Sequence, residues 1–282
     1  MKILTYIESM KKNYFIALCL AAGFLTSCSL LSSSREKDMR PDYVKENMSL
    51  VWADEFDGDS AEPNPEFWDY NTGGGGWGNG ERQYYTNDRT NSFVSDGTLK
   101  IVAHKNEKNK WTSARLITSF KKSFTYGYVE FRAKLPVEKG SWPALWMMPQ
   151  FTTYGQWPRS GEIDVMEYAT NFWGKKAYGT VHCKAGSGGN AVNSDYREIS
   201  DVRKWHTYAV LWTEDSIKWY YDGEFLTEYK NPHNEKDAWQ AWPYDQPFYI
   251  IMNVAMGGTL GMDIPEKLKS CQMEVDYVRV YQ

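Results

Sequence analysis

Three acids lie close together in the stretch SGEIDVMEYA, Ser160 to Ala169: Glu162, Asp164 and Glu167. Two carboxylates facing one cleft can divide the cleavage of a glycosidic bond, one attacking the anomeric carbon while the other protonates the leaving oxygen. A third acid between them tunes both, because like charges at close range push one carboxyl towards its protonated form. The same spacing serves two other arrangements: solvated acids on a sheet face, and a calcium site built from carboxylate oxygens.

The spacing also constrains the backbone. Glu162 and Asp164 share one face of a strand, Ile163 and Val165 take the other, and strict alternation sends residue 167 to the apolar side. An ionised glutamate is costly there. One extra residue around Val165-Met166, a β-bulge, returns Glu167 to the face of its partners. The backbones of Glu162 and Glu167 then stand about 13 Å apart, a gap that sheet curvature and long side chains shorten. Asp164 is placed to hydrogen-bond Glu162 and orient it.

Aromatic rings flank the acids. GSWPALWMMP carries Trp142 and Trp146, and GQWPRSGE sets Trp157 just ahead of Glu162. Flat rings stack on sugars, although Trp146 has a core position as a competing place. His182 in GTVHC reaches the cleft from the next strand or serves a structural role. The four histidines lack zinc-type spacing, no Gly-x-Ser-x-Gly elbow occurs, and the run Gly73 to Gly76 lacks the helix and Lys-Ser/Thr pair of a phosphate cradle.

The elements that carry these residues read as strands. YVEFRAKL puts Val129, Phe131, Ala133 and Leu135 on one face and Glu130, Arg132 and Lys134 on the other. GTLKIVAH, WHTYAVLW, FYIIMNVA and MEVDYVRVY alternate likewise, and IKWYYDGEFL predicts a hairpin turning at Asp222-Gly223. No long helical period appears. Many short strands punctuated by Gly and Pro predict an all-β fold, an antiparallel two-sheet sandwich of jelly-roll type.

A chain of 282 residues suits one large all-β domain. The aromatic share of 16%, with 13 Trp and 20 Tyr, exceeds what a core needs and suggests exposed rings. From Met10 the chain reads as an export leader, two lysines followed by an apolar run too short to span a bilayer comfortably. It ends in Leu25-Thr26-Ser27-Cys28, which resembles the bacterial lipoprotein signal, in which Cys28 would be lipidated; an ordinary cleaved signal is the alternative. The expected divisions are residues 1–27 as signal peptide, 28–48 as flexible tether and 49–282 as catalytic domain. Losing Lys2, Lys11 and Lys12 with Glu8 takes the formal charge from −4 to about −6, which argues against a nucleic-acid partner. Cys183 and Cys271 either pair or remain two buried thiols.

GEIDVMEY resembles the Glu-Ile-Asp-x-x-Glu signature of family sixteen of the glycoside hydrolases in its bulged form. VWADEFDG, GWGNGERQYYT, GTLKIVA, TSARLIT, YGYVEFRAKLP, WPALWMMP and VDYVRVY follow the order seen in its laminarinase-like members, over nearly all of Leu50 to Gln282. The resemblance implies a concanavalin-like β-jelly roll with a substrate cleft across its concave sheet, cutting β-1,3-glucan or mixed β-1,3/1,4-glucan internally with retention. It implies Glu162 as nucleophile, Asp164 as assisting acid and Glu167 as general acid/base. Asn79, Arg115, Trp142, Trp146 and His182 fall where the family contacts sugars, and Trp157 joins them as a ring beside the acids. No cofactor is implied for catalysis. A structural calcium would be bound by Glu55, the Gly97 carbonyl and Asp276, with strand-edge capping as the alternative for the two acids. The chain departs from its relatives at Asn79-Gly80-Glu81-Arg82-Gln83, and AMGGTLGMDIP after Asn253 has the means to reshape a cleft wall. The expected protein is a monomeric, exported lipoprotein of the cell envelope, anchored to a membrane by lipid and acting on β-glucan. A glucan-binding lipoprotein that does not cut, and a relative acting on agar- or carrageenan-type galactans, are the alternatives.

Overall fold

The computed structural model describes residues 37–58, 62–233 and 237–282. The leader with Cys28, and the expected tether as far as residue 36, lie outside the described residues. In chain order the strands are β1 (Leu50–Asp54), β2 (Asp69–Tyr70), β3 (Tyr84–Tyr85), β4 (Ser92–Ser95), β5 (Thr98–Lys105) and β6 (Trp111–Ser113). Next come β7 (Arg115–Ile117), β8 (Gly127–Lys134), β9 (Ser141–Pro149), β10 (Glu162–Tyr168), β11 (Lys176–His182) and β12 (Asn193–Glu198). The last are β13 (His206–Trp212), β14 (Ser216–Tyr221), β15 (Glu224–Lys230), β16 (Phe248–Met256) and β17 (Ser270–Tyr281).

They form two sheets. One runs β12-β11-β10-β9-β16-β7-β2; the other runs β15-β14-β13-β8-β17-β5-β6-β3, with β1 on β17 and β4 on β5. The pairing is antiparallel as expected, with one correction: β3 and β6 pair in parallel, Tyr84 beside Thr112. A two-residue strand reached by a loop from another part of the chain has no hairpin to dictate its direction. Between the sheets lies the main core, where Val129, Phe131 and Ala133 of β8 meet Leu145, Met147, Ile163 and Val165 of the facing sheet. At the expected hairpin, Asp222 and Gly223 both have positive φ (52° and 75°), as a tight two-residue turn requires.

The outer face of β8 is more covered than alternation alone suggests. Glu130 is buried, accepting hydrogen bonds from the Tyr128 and Tyr277 hydroxyls, while Arg132 and Lys134 lie over the Trp205 ring. A short helix, α1 (Asp42–Asn47), packs Val44 against Tyr128, Ala209, Leu211 and Tyr281 there. The folded unit therefore begins at Arg40, ahead of the boundary expected at residue 49. One buried valine and the paired backbones of Ser49 and Gln282 hold that segment down, a contact that a polar, serine-rich composition conceals. Cys183 and Cys271 are unpaired and buried. No helix among the described residues is long and apolar enough to cross a membrane.

Candidate active site

The seven-stranded sheet turns one face into the core, with Leu145, Met147, Ile163 and Val165 on it. The other, open face carries on β10 the partly exposed Glu162 and Glu167 and, between them, the buried Asp164. Asp164 pairs with Trp146 of β9, but the next pair is Met166 with Leu145, so Val165 is an extra residue. The bulge falls where the acid spacing required it, and Val165 and Met166 are both fully buried. Glu167 keeps its place beside Ala144 and Tyr178, partly open to solvent.

Each of the two glutamates meets an indole donor. Trp142 Nε1 donates to Glu167 Oε1 at 3.0 Å, and Trp157 Nε1 donates to Glu162 Oε2. Glu162 and Asp164 lie within hydrogen-bond reach of each other, a contact that becomes a bond when one of the two carboxyls carries a proton. His182 Nδ1 accepts the Gly188 backbone N–H at 3.2 Å, which puts the proton of the neutral ring on Nε2, 3.2 Å from Asp164 Oδ2. Burial, then the Asp164 charge, pushes Glu162 up to about 8. Burial, then the charges of Asp164 and Glu162, pushes Glu167 up to about 8, and burial raises Asp164 as well. At neutral pH the group retains protons that ordinary carboxyls would have lost.

These contacts decide between the arrangements that share the spacing. The acids are not merely solvated, since Asp164 is buried. Glu162, Asp164 and His182 do offer ligand atoms within 4.8 Å of one another. A cation there would meet indole N–H donors and a histidine whose Nε2 carries its hydrogen, where it needs lone pairs. The constellation fits proton and nucleophile chemistry better than metal binding.

Beside the acids a polar and aromatic wall continues across β9, β16 and β7. The Arg115 guanidinium lies between two indoles, 4.6 Å from the Trp146 ring centroid and 4.8 Å from that of Trp77. Trp146 Nε1 donates to Asn253 Oδ1 at 2.7 Å, Asn253 Nδ2 donates to the Tyr85 hydroxyl, and that hydroxyl donates to Glu81 Oε2. Asn79 joins the far end of this chain through a 3.4 Å bond to Glu81, and its carbonyl accepts the backbone N–H of Thr259. The segment after Asn253 is thereby tied to the Asn79 loop as part of one wall. Trp146 is partly exposed and stands outside the buried core.

All nine residues expected at the site thus lie on one connected surface, and Trp77, Glu81, Tyr85 and Asn253 join them. Asn253 had a signal: it is the one polar side chain inside FYIIMNVA. Trp77, in a glycine-rich loop, had none beyond its ring. The expected calcium set does not fit an ion as it stands. Both oxygens of Glu55 accept from Arg279 at 2.7 Å, Asp276 Oδ2 accepts from Arg132 at 2.6 Å, and Gly97 serves the tight turn from β4 to β5 with φ 67°. Guanidinium groups already answer the two charges a cation would take.

Comparison with known proteins gives four concordant likenesses. The sequence pattern described as Glycosyl hydrolases family 16 matches residues 79–279. A beta-glucanase of Rhodothermus marinus is 43% identical over 269 residues, covering 92% of this chain and 91% of that protein. Glucan endo-1,3-beta-glucosidase A1 of Niallia circulans is 39% identical, covering 83% of this chain and 38% of that longer protein. Among solved structures, the laminarinase from Rhodothermus marinus superposes with a TM-score of 0.79 at 42% identity, over 83% of this chain and 97% of that one.

Proposed function

The chain belongs to family 16 of the glycosyl hydrolases, and from that premise we propose that it is a retaining endo-β-glucanase acting on β-1,3-glucan or mixed β-1,3/1,4-glucan. The observation that carries the reading is the bulge at Val165, which keeps Glu167 on the open face with Glu162 and Asp164. Glu162 attacks the anomeric carbon once the proton of its contact with Asp164 resides on Asp164. The leaving oxygen takes its proton from Glu167, whose raised pKa keeps it protonated near neutrality. Water then enters on the vacated side, Glu167 removes its proton, and attack releases the sugar from Glu162 with its original configuration.

The indoles add direction to this scheme. Trp142 and Trp157 hold the carboxyls of Glu167 and Glu162 from opposite ends of the β10 segment, so neither head swings freely. Arg115, Trp146 and Asn253 form the wall against which successive glucosyl rings lie. The reaction so described uses no cofactor.

Reducing-sugar release from laminarin, barley β-glucan, lichenan and agarose tests the substrate class, and early-time NMR of the product anomer tests retention. Release from agarose alone, or an inverted product, would remove the reading. The leader supports a further part of it, lipid attachment at Cys28 after cleavage behind Ser27. A Cys28→Ala variant then leaves the membrane fraction; if it stays there like the parent, the anchor lies elsewhere.

A further inference from the structure

The bulge creates a problem that the opposite sheet solves. On the β11 side the pairing passes from Asp164 with Thr180 to Glu167 with Tyr178, so Val165 and Met166 together oppose the single residue Gly179. A bulge disturbs the ladder locally, and carbonyls diverted from it inside a core must find other donors. Trp219 Nε1 donates to the Asp164 carbonyl at 2.8 Å, and the Tyr221 hydroxyl donates to the Val165 carbonyl at 2.8 Å. Both donors stand on β14 of the other sheet, two residues apart and so on one face, and both are fully buried. Gly179 makes the approach possible: a Cβ there would lie 2.3 Å from Trp219 Cδ1. The indole fills the space of the side chain missing from the one residue that faces the bulge.

We infer that Trp219, Tyr221 and Gly179 are positioning residues for the glycosidase reaction, a lock that fixes the bulge and with it the carboxyl heads of Asp164 and Glu167 relative to Glu162. The inference rests on the function proposed above. Parity alone admits the extra residue at 165 or at 166, since either keeps Glu167 on the open face. The two bonded carbonyls, of Asp164 and Val165, select one of these. A shifted bulge would re-aim the acids while leaving the sugar-facing wall of β7, β9 and β16 in place, so the effect falls on turnover and not on binding.

Tyr221→Phe removes one hydroxyl and no volume. Tyr208→Phe is its control: that ring is fully buried with its centroid 5.1 Å from the Tyr221 ring, and its hydroxyl has no hydrogen-bond partner among the described residues. With laminarin as substrate, Tyr221→Phe is expected to lower kcat about 10- to 100-fold with KM within about twofold, and Tyr208→Phe to leave both unchanged. Gly179→Ala, which must displace the indole, is expected to lose kcat in the same way. The lock is overturned if Tyr221→Phe keeps the parent kcat, if both tyrosine variants lose it equally, or if only the melting temperature moves. Glu162→Gln, assayed alongside, separates the two claims: turnover at the parent rate there defeats the function itself, whereas a dead Glu162→Gln beside a fully active Tyr221→Phe defeats the lock alone.

Discussion

On the ten-stranded sheet Glu55 is gripped at both oxygens by Arg279, Asp276 accepts from Arg132, and Glu130 accepts from two tyrosine hydroxyls. Glu162, Asp164 and Glu167 on the seven-stranded sheet have no lysine or arginine at ion-pair distance among the described residues; they meet indole and imidazole N–H groups and one another. Cations spend a carboxylate's basicity and nucleophilicity on structure. Neutral donors orient a carboxyl without consuming its charge or its proton, which is the state that a nucleophile and an acid require. The contrast between the two faces separates acids that hold the fold from acids that react.

Removing the attacking oxygen should break the contrast most severely. Glu162→Gln keeps the shape and the indole contact but loses the nucleophile, so kcat on β-glucan is expected to fall on the order of 10⁴-fold or more while KM stays near the parent value. Hydrolysis at the parent rate by a preparation free of parent enzyme would place Glu162 among the structural acids. Glu167→Gln comes next, with an expected loss of about 10²–10⁴-fold on natural glucan. Its signature lies in the pH profile. Parent activity should decline above about pH 8, where Glu167 loses its proton, and that alkaline limb should vanish in Glu167→Gln assayed on an aryl glucoside whose leaving group needs no protonation. An unchanged limb would assign it to another group.

How much of this could be read beforehand follows the range of the interactions. Alternation in YVEFRAKL and the turn at Asp222-Gly223 are set by neighbours along the chain, and the two-plus-three spacing of Glu162, Asp164 and Glu167 required a bulge because parity is a local property. The lock on that bulge was invisible. Trp219 and Tyr221 look like any aromatic residues of a buried strand, and only the packing of one sheet on the other brings them to carbonyls 55 and 56 residues away. The arginines beside Glu55 and Asp276 were hidden in the same way, since Arg279 lies 224 residues from its partner. Val44 misled for the opposite reason: a lone apolar residue in a polar segment carries too little pattern to announce that it docks.

The proton on Glu167 also makes the stability of the fold depend on pH. Glu167 has its pKa raised in the folded state, to about 8, above the ordinary value near 4.3 of the unfolded chain. Between those values the folded protein binds the extra proton, so stability falls as pH rises, being fully present below the unfolded value and lost through the folded one. Glutamine at this position stays neutral throughout. The melting temperature of Glu167→Gln relative to the parent should therefore increase steadily from pH 5 to pH 9, by several degrees in all. A gap that is flat across this range would mean that Glu167 is ionised in the folded protein well below neutrality.

The mildest change tests the other face. Glu130 is buried in the ten-stranded sheet, and burial raises its pKa too, but the hydroxyls of Tyr128 and Tyr277 and the charge of Arg279 favour its ionised form. Glu130→Gln keeps one carbonyl acceptor for a tyrosine and turns an amide towards the other, whose hydroxyl oxygen can accept in turn. The expected cost is about 1 kcal/mol, a fall of about 2–4 °C in melting temperature. Because its own sheet and the core stand between this acid and the open face, kcat and KM on laminarin should both remain at parent values. A loss of kcat in Glu130→Gln comparable to that of Glu167→Gln would mean that the two faces are coupled, and that cation pairing is not what separates structural acids from reactive ones in this fold.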